Sequence, residues 1–137
     1  MLDTAAARDA VLADHGATVD RVLACADAVA DTRESPITDG PGLADAIEAA
    51  LGGAGVLGTL PAVLATAVEA AGGRLSAQPV AAPPYVAVTS RGPILRATLD
   101  EGRLVVSIRA FEVEREPRRY VRGPADPDAA LAVAVRD

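Results

Sequence analysis

Three short runs between Pro83 and Glu114 alternate apolar with polar side chains, and a glycine-containing break separates each run from the next. The runs read YVAVTS, PILRATL and RLVVSIRA, and the breaks read RG and DEG. Alternation with a period of two, bounded by turn residues, is typical of adjacent antiparallel strands. This stretch therefore predicts a three-stranded meander.

The positions of the two turns decide which side chains share a face, because a one-residue slip moves every side chain to the opposite face. Two-residue loops at Arg91-Gly92 and Glu101-Gly102 bring the apolar residues of all three strands to one face, with Leu95 near Ile108. A three-residue loop at 100–102 splits that apolar set between two faces, so the two-residue loops are predicted. The predicted inward residues are Val86, Val88, Leu95, Ala97, Leu99, Leu104, Val106 and Ile108.

The same register predicts an arginine-rich opposite face. On that face Arg96 lies directly across from Ser107 and diagonal to Arg109. Arg103 and Tyr85 share the face. Guanidinium groups make directional, paired hydrogen bonds to carboxylate and phosphate, so Arg96, Arg103, Arg109 and Tyr85 form the candidate ligand-binding set. The alternative is an exposed sheet face that its charges keep soluble.

The first 73 residues show helical rather than strand periodicity. The pattern predicts a first helix from Asp3 or Thr4 to about residue 30, and two shorter helices at about 41–51 and 60–71. Glycine costs about 1 kcal/mol in a helix interior, so Gly16 predicts a break or kink near His15. The apolar seam of the first helix faces either the chain's own sheet or a second copy of the chain. It consists of Leu12, His15, Val19, Val22, Ala26 and Val29.

The part of the chain after the helices holds further strand signals besides the meander. Arg74–Ala82 predicts a short edge strand, which Pro79 limits. The apolar parity switches after Ala110, which predicts a bulge or a change of partner strand. Residues 120–122 fit a short strand, and residues 131–136 fit either a last strand or a short helix.

Together these patterns predict one α+β domain over residues 1–137. Its N-terminal helices, in residues 1–73, pack on one face of a four- or five-stranded antiparallel sheet formed by residues 74–137. A chain of this length can bury a core without disulfides or metals.

The composition indicates the cellular environment of the protein and does not indicate a reaction. All thirteen basic residues are arginine, acids outnumber them, and the net charge is −6. The run PPYVAVTSRGPILRATL, in a lysine-free acidic chain, resembles a family of small uncharacterised haloarchaeal proteins over about residues 40–115. The resemblance implies a salt-rich cytosol and transfers no functional residue. The first residues contain acids where a signal peptide has a charged and then an apolar segment, so a cytoplasmic location is expected.

Three motifs suggest other functions and are outweighed by their context. Residues 53–58 read G-x-G-x-x-G, but they follow a helix instead of a strand and no acid lies about 20 residues later, so a helix-to-helix turn is predicted. The uncharged residues between Glu48 and Glu69 are long enough for a membrane span, but glycines and Pro61 divide them. Three helices before a hairpin resemble a winged helix, although residues 60–71 offer no cation or amide to DNA.

No constellation of residues indicates catalysis. Cys25 is the only cysteine and His15 the only histidine, and the two lie on different sides of one helix. No catalytic residue, metal ligand or cofactor is therefore predicted. The prediction is a non-catalytic cytosolic module that binds a protein partner or forms a homodimer, with no membrane and with nucleic acid an unlikely ligand. The alternatives are an anion-ligand domain or small enzyme that uses the arginine face, and a divergent winged-helix regulator.

Overall fold

A computed structural model describes residues 1–136. Three helices come first: α1 at Thr4–Asp31, α2 at Gly40–Gly53 and α3 at Leu60–Ala70, the last preceded by a 3-10 turn at Leu57–Thr59. Aspartate side chains cap the first two helices. The Asp3 carboxylate accepts a hydrogen bond from the Ala6 amide at 2.9 Å, and Asp39 accepts one from Gly42 at 3.0 Å. The three predicted helices are confirmed.

The predicted kink in α1 is also confirmed. His15 has φ −130° and ψ 19°, outside the helical region. The buried residues of α1 fall into two sets, one before the kink and one after it. Before it they are Ala7 and Val11, whereas the predicted Leu12 is only partly buried. The seam predicted as one continuous line is therefore fully buried only after the kink.

Six strands follow the helices, interrupted by one short helix. In chain order the strands are β1 at Val86–Thr89, β2 at Gly92–Leu99, β3 at Gly102–Ile108, β4 at Phe111–Glu114, β5 at Arg119–Arg122 and β6 at Leu131–Arg136. The short helix α4, at Pro127–Ala130, comes directly before β6. An antiparallel sheet contains β1, β2, β3 and β6 in that order, and β4 and β5 form a separate hairpin. The α+β class with a four-stranded antiparallel sheet is confirmed, and residues 131–136 form a strand.

Both turns of the meander are displaced by one position from the prediction. The two-residue loops are Ser90-Arg91 and Asp100-Glu101, so Leu95 pairs with Val106 and not with Ile108. The prediction placed Gly92 and Gly102 inside the turns. In the structure each glycine is instead the first residue of the following strand, and φ is 137° at Gly92 and 143° at Gly102. A glycine directly after a turn accommodates a left-handed φ without Cβ strain. The pairing shifts by two residues, which preserves the predicted faces.

Two predictions about the flanks of the meander have opposite outcomes. The change of partner after Ala110 is confirmed, because β4 leaves the main sheet and pairs with β5. The edge strand predicted at Arg74–Ala82 is wrong, since this segment forms no ladder. Pro79 removes a backbone donor there, and Pro83 and Pro84 remove two more at its end.

The helices cover only one face of the four-stranded sheet. This inner face contacts α1 at β6, α3 at β2 and β3, and α2 at β1. Leu95, Leu104 and Val106 have no exposed surface. Of the eight predicted inward residues, all but Val88 are buried, and Val88 packs at the margin of the core.

The apolar stretch between Glu48 and Glu69 is divided by the fold. Within residues 1–136, no single helix has the length and apolarity of a membrane span. The helical segments 40–53 and 57–70 reach that length only as a pair bent by 79°. Leu43, Ile47, Leu51 and Leu64 in these segments are fully buried inside the protein.

Candidate basic site on the open sheet face

Within residues 1–136, the face of the sheet opposite the helices carries three arginines and no acid. This outer face consists of the strand residues that alternate with the core: Tyr85 beside β1, then Ala87, Thr89, Ile94, Arg96, Thr98, Arg103, Val105, Ser107, Ala132, Ala134 and Arg136. No helix packs over it, and Arg96, Arg103 and Arg136 are exposed. The outer face is therefore a positively charged surface on a chain of net charge −6.

The observed register brings these arginines together at one end of the sheet. Arg103 lies directly opposite Thr98 on one side and Arg136 on the other. Arg96 lies opposite Val105 and is therefore diagonal to Arg103. Diagonal neighbours in a sheet are about 7–8 Å apart, within reach of long side chains. One ligand group placed between Arg96 and Arg103 can contact both guanidinium groups.

Four of these residues line a pocket. The basic pocket is formed by Tyr85, Arg96, Thr98 and Arg103, and the loop before β1 closes one side with Leu75, Ser76 and Pro84. Its volume is about 320 Å³. The Arg96 amide donates a hydrogen bond to the Tyr85 carbonyl at 2.8 Å, which fixes the tyrosine beside β2. The pocket offers guanidinium and hydroxyl donors, which suit an oxyanion.

Arg109 does not belong to this pocket. The sequence placed it diagonal to Arg96, and that geometric prediction is wrong because the pairing is shifted by two residues. Arg109 follows the end of β3 and lies with Thr89, Arg91 and Ser107 at the opposite end of the sheet. The candidate set from the sequence therefore separates into three residues that converge and one that does not.

The pocket arginines have no carboxylate partner among residues 1–136. Ion pairs there use Arg8 with Asp128, Arg119 with Glu114 and Arg122 with Asp27. The nearest acids along the chain are Asp100 and Glu101, in the turn between β2 and β3, and neither pairs with Arg96 or Arg103. The guanidinium donors of the basic pocket are thus available to a ligand.

Arg136 and Ser76 are two polar residues of this region that the sequence did not identify. Arg136 follows three alternating apolar residues, so its outward direction is readable once residues 131–136 are known to form a strand. The sequence does not predict that Arg103 lies beside Arg136, because β6 pairs with β3 across a connection of more than 20 residues. Ser76 lies in a loop without periodicity, and no local signal places it beside Arg96.

The predicted self-association seam of α1 lies inside the chain. Val19, Val22 and Ala26 have no exposed surface, and Val29 is 6% exposed. Leu12 and His15 are partly buried, and His15 Nε2 lies 2.8 Å from Thr66 Oγ1 in α3. Of the two orientations left open by the sequence, the structure has the intrachain one. Within the single chain, the part of the seam that keeps the most exposed surface is Leu12 and His15.

Cys25, the single cysteine of the chain, lies in α1 and is partly buried. Burial raises the pKa of the Cys25 thiol, an effect that the Arg21 guanidinium partly opposes. The thiol contacts the Ala50 carbonyl at 3.7 Å. A thiol with a raised pKa is protonated at neutral pH and is a poor nucleophile. Within residues 1–136, no three His, Cys, Asp or Glu side chains come close enough to hold a metal ion.

The G-x-G-x-x-G segment connects two helices, as predicted. It runs from the last residue of α2 into the 3-10 turn before α3, and Gly55 has a φ of 74°. No strand precedes it, so its amides do not form the strand-to-helix turn that binds a pyrophosphate.

Comparison with known proteins places the chain in a family. No curated protein and no solved structure matches it. One family model, described as a domain of unknown function (DUF7988), matches residues 5–136. The match extends from the start of α1 to the last residue of β6. The chain therefore belongs to the DUF7988 family.

Proposed function

We propose that this protein is a non-catalytic, cytosolic binding module whose basic pocket takes a carboxylate from an acidic protein partner. The observation that carries the proposal is the arrangement of Arg96, Arg103 and Arg136 as neighbours on an open face that has no acid among residues 1–136. In contrast, Arg8, Arg119 and Arg122 each pair with an acid inside the chain.

Electrostatics supports an anionic ligand. Two unit charges about 7 Å apart repel each other by roughly 0.6 kcal/mol even at the dielectric constant of water. A carboxylate between Arg96 and Arg103 converts this repulsion into two attractive contacts. It also receives charge-assisted hydrogen bonds, which are about twice as strong as neutral ones. The Tyr85 and Thr98 hydroxyls supply further donors beside it.

A protein partner is favoured over an isolated small anion by the shape of the surface. The basic pocket continues into the open remainder of the outer face, where Ile94, Val105 and Ala134 lie between the polar residues. Mixed apolar and arginine surfaces are typical of protein interfaces. The second candidate is a small anion-ligand domain, and the pocket volume of about 320 Å³ supports it because ligand sites begin at about 300 Å³.

A nucleic-acid role has less support. In a winged-helix regulator α3 would enter the major groove, yet its exposed side chains are Ala62 and Glu69, and its other face is buried. A carboxylate on that helix repels phosphate. The lysine-free, acidic composition supports a salt-rich cytosol as the setting of the protein.

A paired set of variants tests the proposal. An acidic peptide of alternating Glu and Ala is titrated into the protein at low salt and followed by calorimetry and by amide chemical shifts. The double variant Arg96→Gln/Arg103→Gln is expected to bind at least about tenfold more weakly, since hydrogen bonds to charged groups contribute about 1.5–3 kcal/mol each. The matched control, Arg91→Gln/Arg109→Gln, removes the same charge at the opposite end of the sheet and is expected to bind within about twofold of the original chain.

Two results would contradict the proposal. Equal losses in both double variants mean that net charge, and not the basic pocket, determines binding. Absence of shifts at Tyr85 and Thr98 on addition of the peptide places the ligand elsewhere. A parallel titration with inorganic phosphate separates the two candidates, because a phosphate response without a peptide response favours the small-anion domain.

A further inference from the structure

The main sheet has two edges, and only one of them is protected. At the first edge, β1 is four residues long and directly follows Pro83-Pro84. The Val86 amide already donates to the Ala82 carbonyl at 3.1 Å. Short strands, prolines and local bonds are the means by which proteins block edge-to-edge pairing. The β6 edge is six residues long, without proline, bulge or inward-pointing charge.

The hydrogen bonds of β6 show which of its backbone groups are available. In an antiparallel pair, alternate residues bond to the neighbouring strand and the others point away. The Arg109 amide donates to the Ala130 carbonyl at 2.8 Å, so the even-numbered residues of β6 bond to β3. The odd-numbered ones point to the free edge. Arg8 confirms this phase, because its Nε donates to the outward Leu131 carbonyl at 3.3 Å.

The backbone groups left at the edge belong to Val133 and Val135. Arg8 occupies the Leu131 carbonyl, and the Leu131 amide donates to Pro127. Within residues 1–136, the amides and carbonyls of Val133 and Val135 have no such local partner. Among the described residues, the Val135 side chain is one of three large apolar side chains that are exposed, at 38%. An unpaired backbone beside an exposed valine is a template for another strand.

We infer that two copies of this chain associate by antiparallel pairing of their β6 strands, with the two-fold axis at Ala134. In this register Val133 of each copy faces Val135 of the other, and each of these facing pairs exchanges two backbone hydrogen bonds. The two small Ala134 side chains meet at the axis. The pairing continues the sheet across both copies and covers the exposed Val135 with the valine of the second copy.

The charges of the edge are compatible with this partner. Arg136 is the only charged residue in β6, and the register places it opposite Ala132 of the second copy, away from the other Arg136. Asp128, the nearest preceding acid, already pairs with Arg8. The net charge of −6 on each copy opposes association at low salt. Salt screens this repulsion, because the Debye length falls from about 10 Å at 0.1 M to about 3 Å at 1 M. The dimer should therefore strengthen with salt.

A proline at the edge tests the inference without breaking the sheet. Val135→Pro removes an amide that points to the free edge, so the β3 ladder stays intact while the incoming strand loses a donor and meets the ring. In 1 M KCl, light scattering of the original chain should approach twice the chain mass of 13.8 kDa as protein rises from micromolar to millimolar. Val135→Pro should remain at the single-chain mass, and Val135→Ala, which keeps the amide, should still dimerise.

A cross-link tests the register independently of the proline variant. Residues at a non-hydrogen-bonded antiparallel position have Cα atoms about 4.5 Å apart, within the range of a disulfide. In a Cys25→Ala background, Ala134→Cys should therefore form a disulfide-linked dimer under mild oxidation. Ala132→Cys should not, because its two copies are offset by four residues, about 13 Å. A chain that stays monomeric at millimolar concentration, or equal cross-linking of both variants, would overturn the inference.

Discussion

The guanidinium groups of Arg122 in β5 and Arg96 in β2 differ in their contacts within the chain. Arg122 donates from Nε to Asp27 at 2.7 Å and from its other nitrogens to the carbonyls of Ala110 and Leu23. Its guanidinium carbon lies 5.4 Å from the centre of the Phe111 ring. Arg96 has no side-chain hydrogen bond or ion pair within residues 1–136 and is exposed. One arginine joins elements of the fold, and the other is free to meet a ligand.

The difference extends to the surroundings of each arginine. In the β4–β5 hairpin, Arg119 pairs with Glu114 at 2.7 Å, and Arg118 donates to the Tyr120 hydroxyl at 2.9 Å. Arginines are close together in the sequence around residue 120, yet Arg118, Arg119 and Arg122 all donate hydrogen bonds within the chain. Clustering along the sequence therefore gives a poor measure of available charge. The arginines that cluster in space are distant in sequence.

The largest expected effect in this comparison comes from the ring beneath Arg122. Phe111 is fully buried, and its truncation to alanine should lower the free energy of unfolding by about 3–5 kcal/mol. Urea denaturation followed by circular dichroism measures the change. Val105→Ala, in the outer face, is the control and should cost less than about 1 kcal/mol because that site is only partly buried. Similar costs at both sites would mean that the hairpin does not form part of the core.

Removal of the Arg122 guanidinium should have the next largest effect. Arg122→Gln should lower the free energy of unfolding by roughly 1–3 kcal/mol, because the Ala110 carbonyl loses a charged donor and Phe111 loses its cation. Asp27→Asn should cost less than about 1 kcal/mol, since the Asp27 side chain is 65% exposed. The same chemical change at Arg96 should stay within about 0.5 kcal/mol. Equal effects at Arg122 and Arg96 would remove the distinction between the two arginines.

The sequence predicted the fold more fully than the site, and the reason is the periodicity of the strands. Alternation identified the inner and outer faces, and it tolerates a two-residue error in pairing because side chains repeat every two residues. A site depends on the pairing itself. The same error that left Leu95 and Val106 on the correct face moved Arg109 from the neighbourhood of Arg96 to the other end of the sheet.

Contacts between distant parts of the chain were not predictable from local patterns. The chain order of strands gives no indication that β6 returns to pair with β3, so the position of Arg136 opposite Arg103 was missed. The closure of the pocket by Leu75 and Ser76 was missed because that segment was expected to form a strand. The sequence does not show what packs on the α1 seam, because a helical pattern shows which side is apolar and not which element covers it.

The smallest expected effect is on the free energy of unfolding, which repulsion between the neighbouring arginines of the outer face should lower slightly. Like charges directly opposite each other in a sheet are destabilising, and Arg103 faces Arg136 with Arg96 on its diagonal. Arg103→Glu replaces this repulsion with attraction and should raise the free energy of unfolding by about 0.2–1 kcal/mol at low salt. The gain should shrink in 1 M KCl, where exposed charges are screened beyond about 3 Å. Thermal melts at both salt concentrations measure it, with Arg109→Glu as the control, because Arg109 lies at the other end of the sheet. Equal stabilisation in the two variants would indicate a general response to charge. A gain confined to Arg103→Glu would mean that repulsion among Arg96, Arg103 and Arg136 lowers stability, and that an anion bound there relieves this repulsion.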